Sequence, residues 1–216
     1  MAIGDHLREV IDLHGSPSCH HTNACLIAAG EKGVDITGHA ETDWGPSGSI
    51  RSMSPLGIGP ILKDRTCVVF GVVACLSYID DKGFGNSLVH RNGVTRARMW
   101  REVGVAAQTD CGDDASLSAS LDQLEETLGA SEGNLRGDYV CGQYTLADCV
   151  WAGVCQVAMN SGKGNAVSSR ARINKWFSAV QTHPSTSKEA INPFSCMCTK
   201  ADADGGTIRN IAINAG

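Results

Sequence analysis

A thiol followed by two imidazoles, Cys19-His20-His21, is the stretch of this chain in which chemistry is most readily written. A cysteine at the first turn of a helix faces unpaired backbone N–H groups and the positive end of the helix macrodipole, and both favour the thiolate. The neighbouring histidines could polarise that thiol or bind a metal. Two adjacent helical residues do not face the same way, however, so the histidines are expected on the surface. For Cys19 two readings stand side by side: a nucleophile of lowered pKa, or a small residue at a helix start with no chemical part.

The elements that would position Cys19 can be read on either side of it. Ile11 and Leu13 alternate with Asp12 and His14, the period-two pattern of a short strand that Gly15 and Pro17 break. Ala24, Leu26, Ile27, Ala28 and Ala29 then predict a compact apolar helix stopping at Gly30, with Lys32 and Gly33 just beyond. A second strand is predicted over 34–39. AETDWGPSGSIRSM reads as a long polar surface loop. Pro55, Gly57, Gly59 and Pro60 force a turn before Ile61 and Leu62, and a hairpin turn at Asp64-Arg65 leads to a strand over 67–70. A buried helix over 72–79 completes a β-α-β, loop, β-β-α order, the layout of a thioredoxin-like domain over 1–83.

Beyond a linker at 84–92 the pattern is all helical to residue 190. Leu117, Leu121, Leu124 and Leu128 form one apolar stripe; Ile173, Trp176, Phe177 and Val180 form another. Thr145 and Asp148 have the spacing of a capping box ahead of the apolar run 149–159. Pro184 is expected to open a last short helix, and 191–216 reads as an irregular tail. The fold class expected is therefore α/β plus all-α.

Composition narrows the function classes. The 216 residues are 42% hydrophobic and 19% charged, with a net charge of −5, which describes a globular protein and argues against nucleic acid as a partner. No apolar run reaches the roughly 20 residues that span a bilayer. No apolar signal core is visible in MAIGDHLREV, so the ten cysteines are expected as free thiols in a reducing compartment, cytoplasm or organelle interior. No two of them show metal-knuckle or dithiol spacing, so no metal is expected. Cys25, Cys67, Cys75, Cys149 and Cys155 lie in apolar runs, where cysteine acts as a small hydrophobe. Cys196 and Cys198 read as part of the tail rather than as a redox or metal pair.

LHGSPSCHHTNACLIAAGEKGVD, SPLGIGPIL, YTLADCVWAG and INKWFSAVQTHPS, in that order, together resemble the cytosolic glutathione S-transferases. The likeness covers residues 8 to 190 and is closest to the phi-type pattern. It implies that Cys19 holds the place of the activating residue, as in cysteine-type members that form mixed disulfides with glutathione. It implies that Gly59 presents backbone groups to the cysteinyl part of glutathione and that Pro60 is the family's cis-proline. The same likeness exposes a departure: where the family carries an acidic residue or Gln and then Ser for the γ-glutamyl end, this chain has Gly71-Val72. Arg51 is the one cation before Pro55 available for the glycyl carboxylate. Glutathione is thus expected to bind weakly or not at all. The leading expectation is a non-catalytic binding or scaffolding module with an eroded glutathione site, as a homodimer or within an assembly. The alternative is an active cysteine-type glutathione or thiol transferase using Cys19, with glutathione as substrate and no other cofactor.

Overall fold

The computed structural model describes residues 11–41, 43–45, 48–130 and 137–183, together with the backbone of Ile208–Arg209. Strand β1 (Ile11–Gly15) runs parallel to β2 (Ile36–Ala40) and is joined to it by α1 (His20–Lys32). Antiparallel β3 (Ile61–Lys63) and β4 (Val68–Phe70) extend the other side of β1, and α2 (Val72–Lys82) follows. The helices α3 (Gly93–Ala107), α4 (Asp114–Gly129), α5 (Leu146–Asn160), α6 (Gly164–Ser168) and α7 (Ala171–Gln181) form the second half. A thioredoxin-like unit is thus followed by a helical one, as the pattern predicts.

The alternation in β1 decides which sheet face carries the core. Ile11 and Leu13 are buried against α1 and α2, whereas Asp12 and His14 turn to the opposite face. There the His14 and His39 rings stack with centroids 4.6 Å apart. Each ring is paired with a carboxylate, His14 with Glu41 at 2.8 Å and His39 with Asp12 at 2.9 Å.

Three expectations need correction. The segment after β2 is no free surface loop: it contains a 3₁₀ turn at Ser49–Ser52, and Ile50 and Ser54 are fully buried. Arg51 ties the segment together by donating to the carbonyls of Gly45 (3.1 Å) and Pro55 (2.7 Å). The tail is not wholly irregular either, since Ile208–Arg209 pairs with β2 as a fifth strand, β5, giving the order β4-β3-β1-β2-β5. Cys67 lies at the hairpin turn and is only half-buried; Cys25, Cys75, Cys149 and Cys155 fill core positions as read. The helix expected at Pro184 and the pair Cys196 and Cys198 fall outside the described residues.

Helix α5 is the spine of the helical half and is buried over almost its whole length. Its first turn is organised by Asp148, a fully buried carboxylate. That carboxylate accepts from the N–H of Thr145 (2.9 Å), the hydroxyl of Thr145 (3.2 Å), the N–H of Val140 (2.9 Å) and the indole of Trp176 (2.8 Å). The capping box read from the sequence is present. Burial outweighs these donors and pushes the Asp148 carboxyl up to about 6. Where α5 meets α1, Gly153 allows the backbones to touch, because a Cβ there would lie 2.5 Å from the carbonyl oxygen of His20. This close approach sets the helical half against the turn that bears Cys19.

Among the described residues no helix is long and apolar enough to cross a membrane.

Candidate active site

Cys19 is the N-cap of α1 and keeps extended backbone angles (φ −92°, ψ 122°). Gly15 ends β1 where the side chain of Thr22 crosses it, with the Thr22 hydroxyl 2.3 Å from where a Cβ would sit. The turn between them is closed by the N–H of Cys19 donating to Ser16 (3.0 Å) and by the Asn23 amide donating to the carbonyls of Pro17 and Cys19 (2.9 Å each). The thiol is thereby fixed above the start of the helix.

Burial by itself would raise the pKa of Cys19. Hydrogen bonds from the His21 imidazole and the Thr22 N–H, with the charge on His21, instead hold it below the ordinary thiol value. His21 is shifted the opposite way: burial would lower it, but the bond to Cys19 and the carbonyl of Ala107 raise it. Its Nε2 lies 2.9 Å from that carbonyl, at the C-terminal end of α3. His20 turns toward the helical half, with Nδ1 3.6 Å from the sulfur of Cys111. Burial, and then the charge on His21, push it down to about 4.

The surface placement expected for the two histidines is therefore wrong. Both are half-buried between the halves of the molecule, with their rings in contact at a centroid distance of 4.1 Å; His21 reaches the carbonyl of Ala107 and His20 the sulfur of Cys111. Cys111 is no equivalent of Cys19, because burial and the charge on Cys19 push it up to about 11.

Facing Cys19 across a cavity of about 200 Å³ are Gly57, Gly59 and Pro60, with Ser16, Thr22 and Trp44 completing the lining. The Gly59–Pro60 peptide is cis, as the sequence motif implies. Trp44 lies against Gly59 so closely that a Cβ there would be 2.4 Å from its ring, so only glycine fits beneath the indole. A lone tryptophan in a Gly/Ser-rich segment was the signal for this contact, but its partner could not be read from sequence. Two buried polar atoms of the described residues have no hydrogen-bond partner, Thr22 Oγ1 and His20 Nε2, and both belong to the first turn of α1. Of the two, only Thr22 lines the cavity, where its hydroxyl can meet a ligand group; His20 faces the helical half.

Beyond the cavity lining, the start of α2 is built differently. Gly71 caps α2 at φ 84° and donates its N–H to the carbonyl of Pro60 (2.9 Å), while Val72 is buried. Neither side chain has a polar atom. Ile58, Phe70 and Val73 around them are exposed, as is Leu56 nearby in the chain. Arg51 donates to two loop carbonyls and does not itself line the cavity, although its guanidinium packs against Gly57, which does.

A larger cavity of about 330 Å³ lies between α3, α4 and residues 137–142. Its one thiol, Cys141, is pushed by burial up to about 12, so it offers no thiolate nucleophile. Among the described residues, no three His, Cys, Asp or Glu side chains are grouped to hold a metal ion.

Several solved structures share this overall fold. A delta-class glutathione transferase of Nilaparvata lugens is 20% identical, with a TM-score of 0.66 over 80% of this chain and 89% of that one. A glutathione transferase from Populus trichocarpa is 18% identical, with a TM-score of 0.64 over 82% and 95%. The fold is that of the cytosolic glutathione transferases. FzlA from C. crescentus has it too, at 18% identity and a TM-score of 0.68 over 82% and 89%. No protein-family profile and no curated protein matches the sequence. On the glutathione transferase fold, Cys19 stands at the helix start that faces the cis-proline.

Proposed function

We propose that this protein is a cysteine-type thiol transferase on the glutathione transferase fold, with Cys19 as its nucleophile. The observation that carries the reading is Cys19 at the start of α1, opening onto a cavity bounded by Gly59 and cis-Pro60, with His21 helping to hold its pKa below the ordinary thiol value. A thiolate, not a thiol, attacks disulfides, and pairing with an imidazole is a general way to supply one near neutral pH. In the reaction, the Cys19 thiolate attacks one sulfur of a glutathione-containing disulfide. The Cys19–glutathione S–S bond forms, the original S–S bond breaks, and the second thiol leaves as its thiolate. A second glutathione thiolate then attacks the mixed disulfide, which returns Cys19 and releases oxidised glutathione. Gly59 and Pro60 align the cysteinyl portion.

Binding of glutathione is weak in this reading. The cavity is below the roughly 300–1,000 Å³ of a typical ligand pocket, and no charged side chain lines it. A hydrogen bond to a charged group contributes roughly 1.5–3 kcal/mol, so a γ-glutamyl end left without two such partners loses about a hundredfold or more in affinity. Incubation with oxidised glutathione, followed by mass spectrometry of the Cys19 peptide, tests the assignment. A glutathione adduct on Cys19, absent in Cys19→Ser, is the expected result; an unmodified Cys19 after prolonged incubation would refute it.

One observation favours a second reading, a non-catalytic binding or scaffolding module. Leu56, Ile58, Val68, Phe70 and Val73 expose apolar surface along edge strand β4 and the start of α2, beside the bare Gly71-Val72 site. Such a surface suits a protein partner or a second copy of this chain. That reading gains if Cys19→Ser leaves every measurable property of the protein unchanged.

A further inference from the structure

We propose that Trp44 is the specificity-determining residue of the Cys19 cavity, and that it selects disulfides whose leaving arm is short and uncharged. This rests on Cys19 being the nucleophile of the proposed transferase and adds the class of disulfide on which that thiol acts.

The cavity beside Cys19 has one aromatic wall. Among the described residues, Trp44 is its one aromatic lining side chain, and no lining side chain other than the Cys19 thiolate can carry a charge. Two contacts hold the ring. Its Nε1 donates to the carbonyl of Glu41 (3.1 Å), and the benzo edge of the indole lies against Gly59, where a Cβ would be 2.4 Å away. Gly59 immediately precedes cis-Pro60. The indole thus stands on the turn assigned to the cysteinyl sulfur, where the second arm of the disulfide has to be received.

Size and charge of that arm follow from the lining. The cavity of about 200 Å³ is smaller than the roughly 300 Å³ at which pockets for drug-sized ligands begin, so it encloses one short arm and leaves a tripeptide outside. An ionised arm would exchange its water for an indole, a proline ring, glycine backbone and neutral hydroxyls, with no counter-charge to offset the loss. The nearest cation, Arg51, packs behind Gly57 and donates to the carbonyls of Gly45 and Pro55. An uncharged arm loses less and can lay its apolar part on the indole. Its polar end meets Thr22 Oγ1, which is buried in the lining without a hydrogen bond, whereas the Ser16 hydroxyl is already joined to that of Ser18 at 2.9 Å. The step is the exchange given above. The bond from Cys19 to the glutathione sulfur forms, the S–S bond breaks, and its electron pair leaves with the arm against Trp44 as a thiolate.

The test compares three short symmetric disulfides on the full-length protein: neutral hydroxyethyl disulfide, cationic cystamine and anionic dithiodiglycolate. Modification of the Cys19 peptide is followed by mass spectrometry, and each rate is divided by that of N-acetylcysteine amide with the same reagent. The neutral reagent should be at least about tenfold faster than either charged one after this correction. Oxidised glutathione, charged in both arms, should fall with the slow reagents. Trp44→Ala opens the wall to water and should bring the three rates within about threefold of one another. Trp44→Phe keeps a ring there and should retain the preference. A merely structural Trp44 would slow all three reagents alike in Trp44→Ala; unchanged ratios there overturn the assignment to Trp44. The ranking in the unaltered protein needs no variant to fold. Equal corrected rates, or a faster anionic reagent drawn by Arg51, overturn the selection for uncharged arms. If the neutral preference holds and oxidised glutathione never forms an adduct, the transferase reading fails and this inference stands. An adduct without any preference among the three reagents gives the converse.

Discussion

Two helix starts in this protein bury polar side chains, and they do so to opposite ends. At the start of α5, Asp148 is fully buried and receives four donors, from Val140, Thr145 twice and Trp176. At the start of α1, Thr22 Oγ1 and His20 Nε2 are buried with nothing to bond, and Cys19 faces an open cavity. A buried group whose hydrogen bonds are complete is costly to disturb and has no capacity left for a ligand. A turn with unfilled polar atoms gives up some stability and keeps that capacity. The contrast teaches that burial and polarity alone do not locate a reactive site; the side chains must also face an open cavity, as Cys19 and Thr22 do and Asp148 does not.

The sharpest way to break the comparison is Asp148→Ala. It strands the N–H groups of Val140 and Thr145 and the indole of Trp176 in the core. At roughly 1–3 kcal/mol for each buried donor left unpaired, the loss should be at least about 3 kcal/mol. An unfolding free energy from urea titration lowered by less than a third of that would show that water reaches the hub. The same carboxylate should also leave a signature in pH. Its folded pKa of about 6 lies above the ordinary carboxylate value of 3.8, so the folded state holds the proton more tightly. Stability contributed by this group is therefore present below pH 4 and falls as the pH rises to about 6, by about 3 kcal/mol. The difference in stability between the natural protein and Asp148→Asn, measured from pH 4 to 7, isolates that slope.

On the α1 side, thiol labelling sharpens the contrast within one cleft. Cys19 lies below the ordinary value of 9.0 and Cys111 is at about 11, so the thiolate fraction of Cys19 near neutral pH is more than a hundredfold larger. The stronger intrinsic nucleophilicity of the less acidic thiolate recovers part of this. Iodoacetamide should still label Cys19 at least tenfold faster than Cys111. Equal rates would remove the distinction between a reactive and a packed thiol.

A smaller effect is expected at the bare end of the groove. Val72→Ser adds a hydroxyl at the start of α2 without backbone strain, and should strengthen glutathione binding five- to tenfold by calorimetry. Gly71→Glu is the less favourable change, because φ 84° at that position is costly for any residue with a Cβ. No gain with Val72→Ser would mean that this end of the groove does not receive the ligand. The smallest effect is that of Thr145→Ala. Its hydroxyl is one of four donors to Asp148, so the loss should be about 0.5–1 kcal/mol in the denaturation midpoint, within the range for helix caps. A loss as large as that of Asp148→Ala would locate the hub at Thr145 instead.

What the sequence determined by itself is local. Cys19 before an apolar helix, Pro60 ahead of a strand, and Thr145 three residues before Asp148 are each defined by neighbours within a few positions, and the structure places them as read. The alternation of Ile11 and Leu13 likewise fixed the inward face of β1, since side-chain direction along a strand follows from backbone geometry. The tertiary structure decided everything that depends on which surfaces dock. His21 reads from sequence as a surface residue because nothing nearby explains it; its partner is a main-chain carbonyl 86 residues away, and a carbonyl leaves no mark in residue type. Asp148 reads as a cap, yet Val140 and Trp176 make it a core hub only once α7 has packed onto α5. The place of the Thr22 hydroxyl in the cavity lining is the least legible of all. An unmet hydrogen bond is defined by the absence of a partner in three dimensions, and no linear pattern encodes an absence.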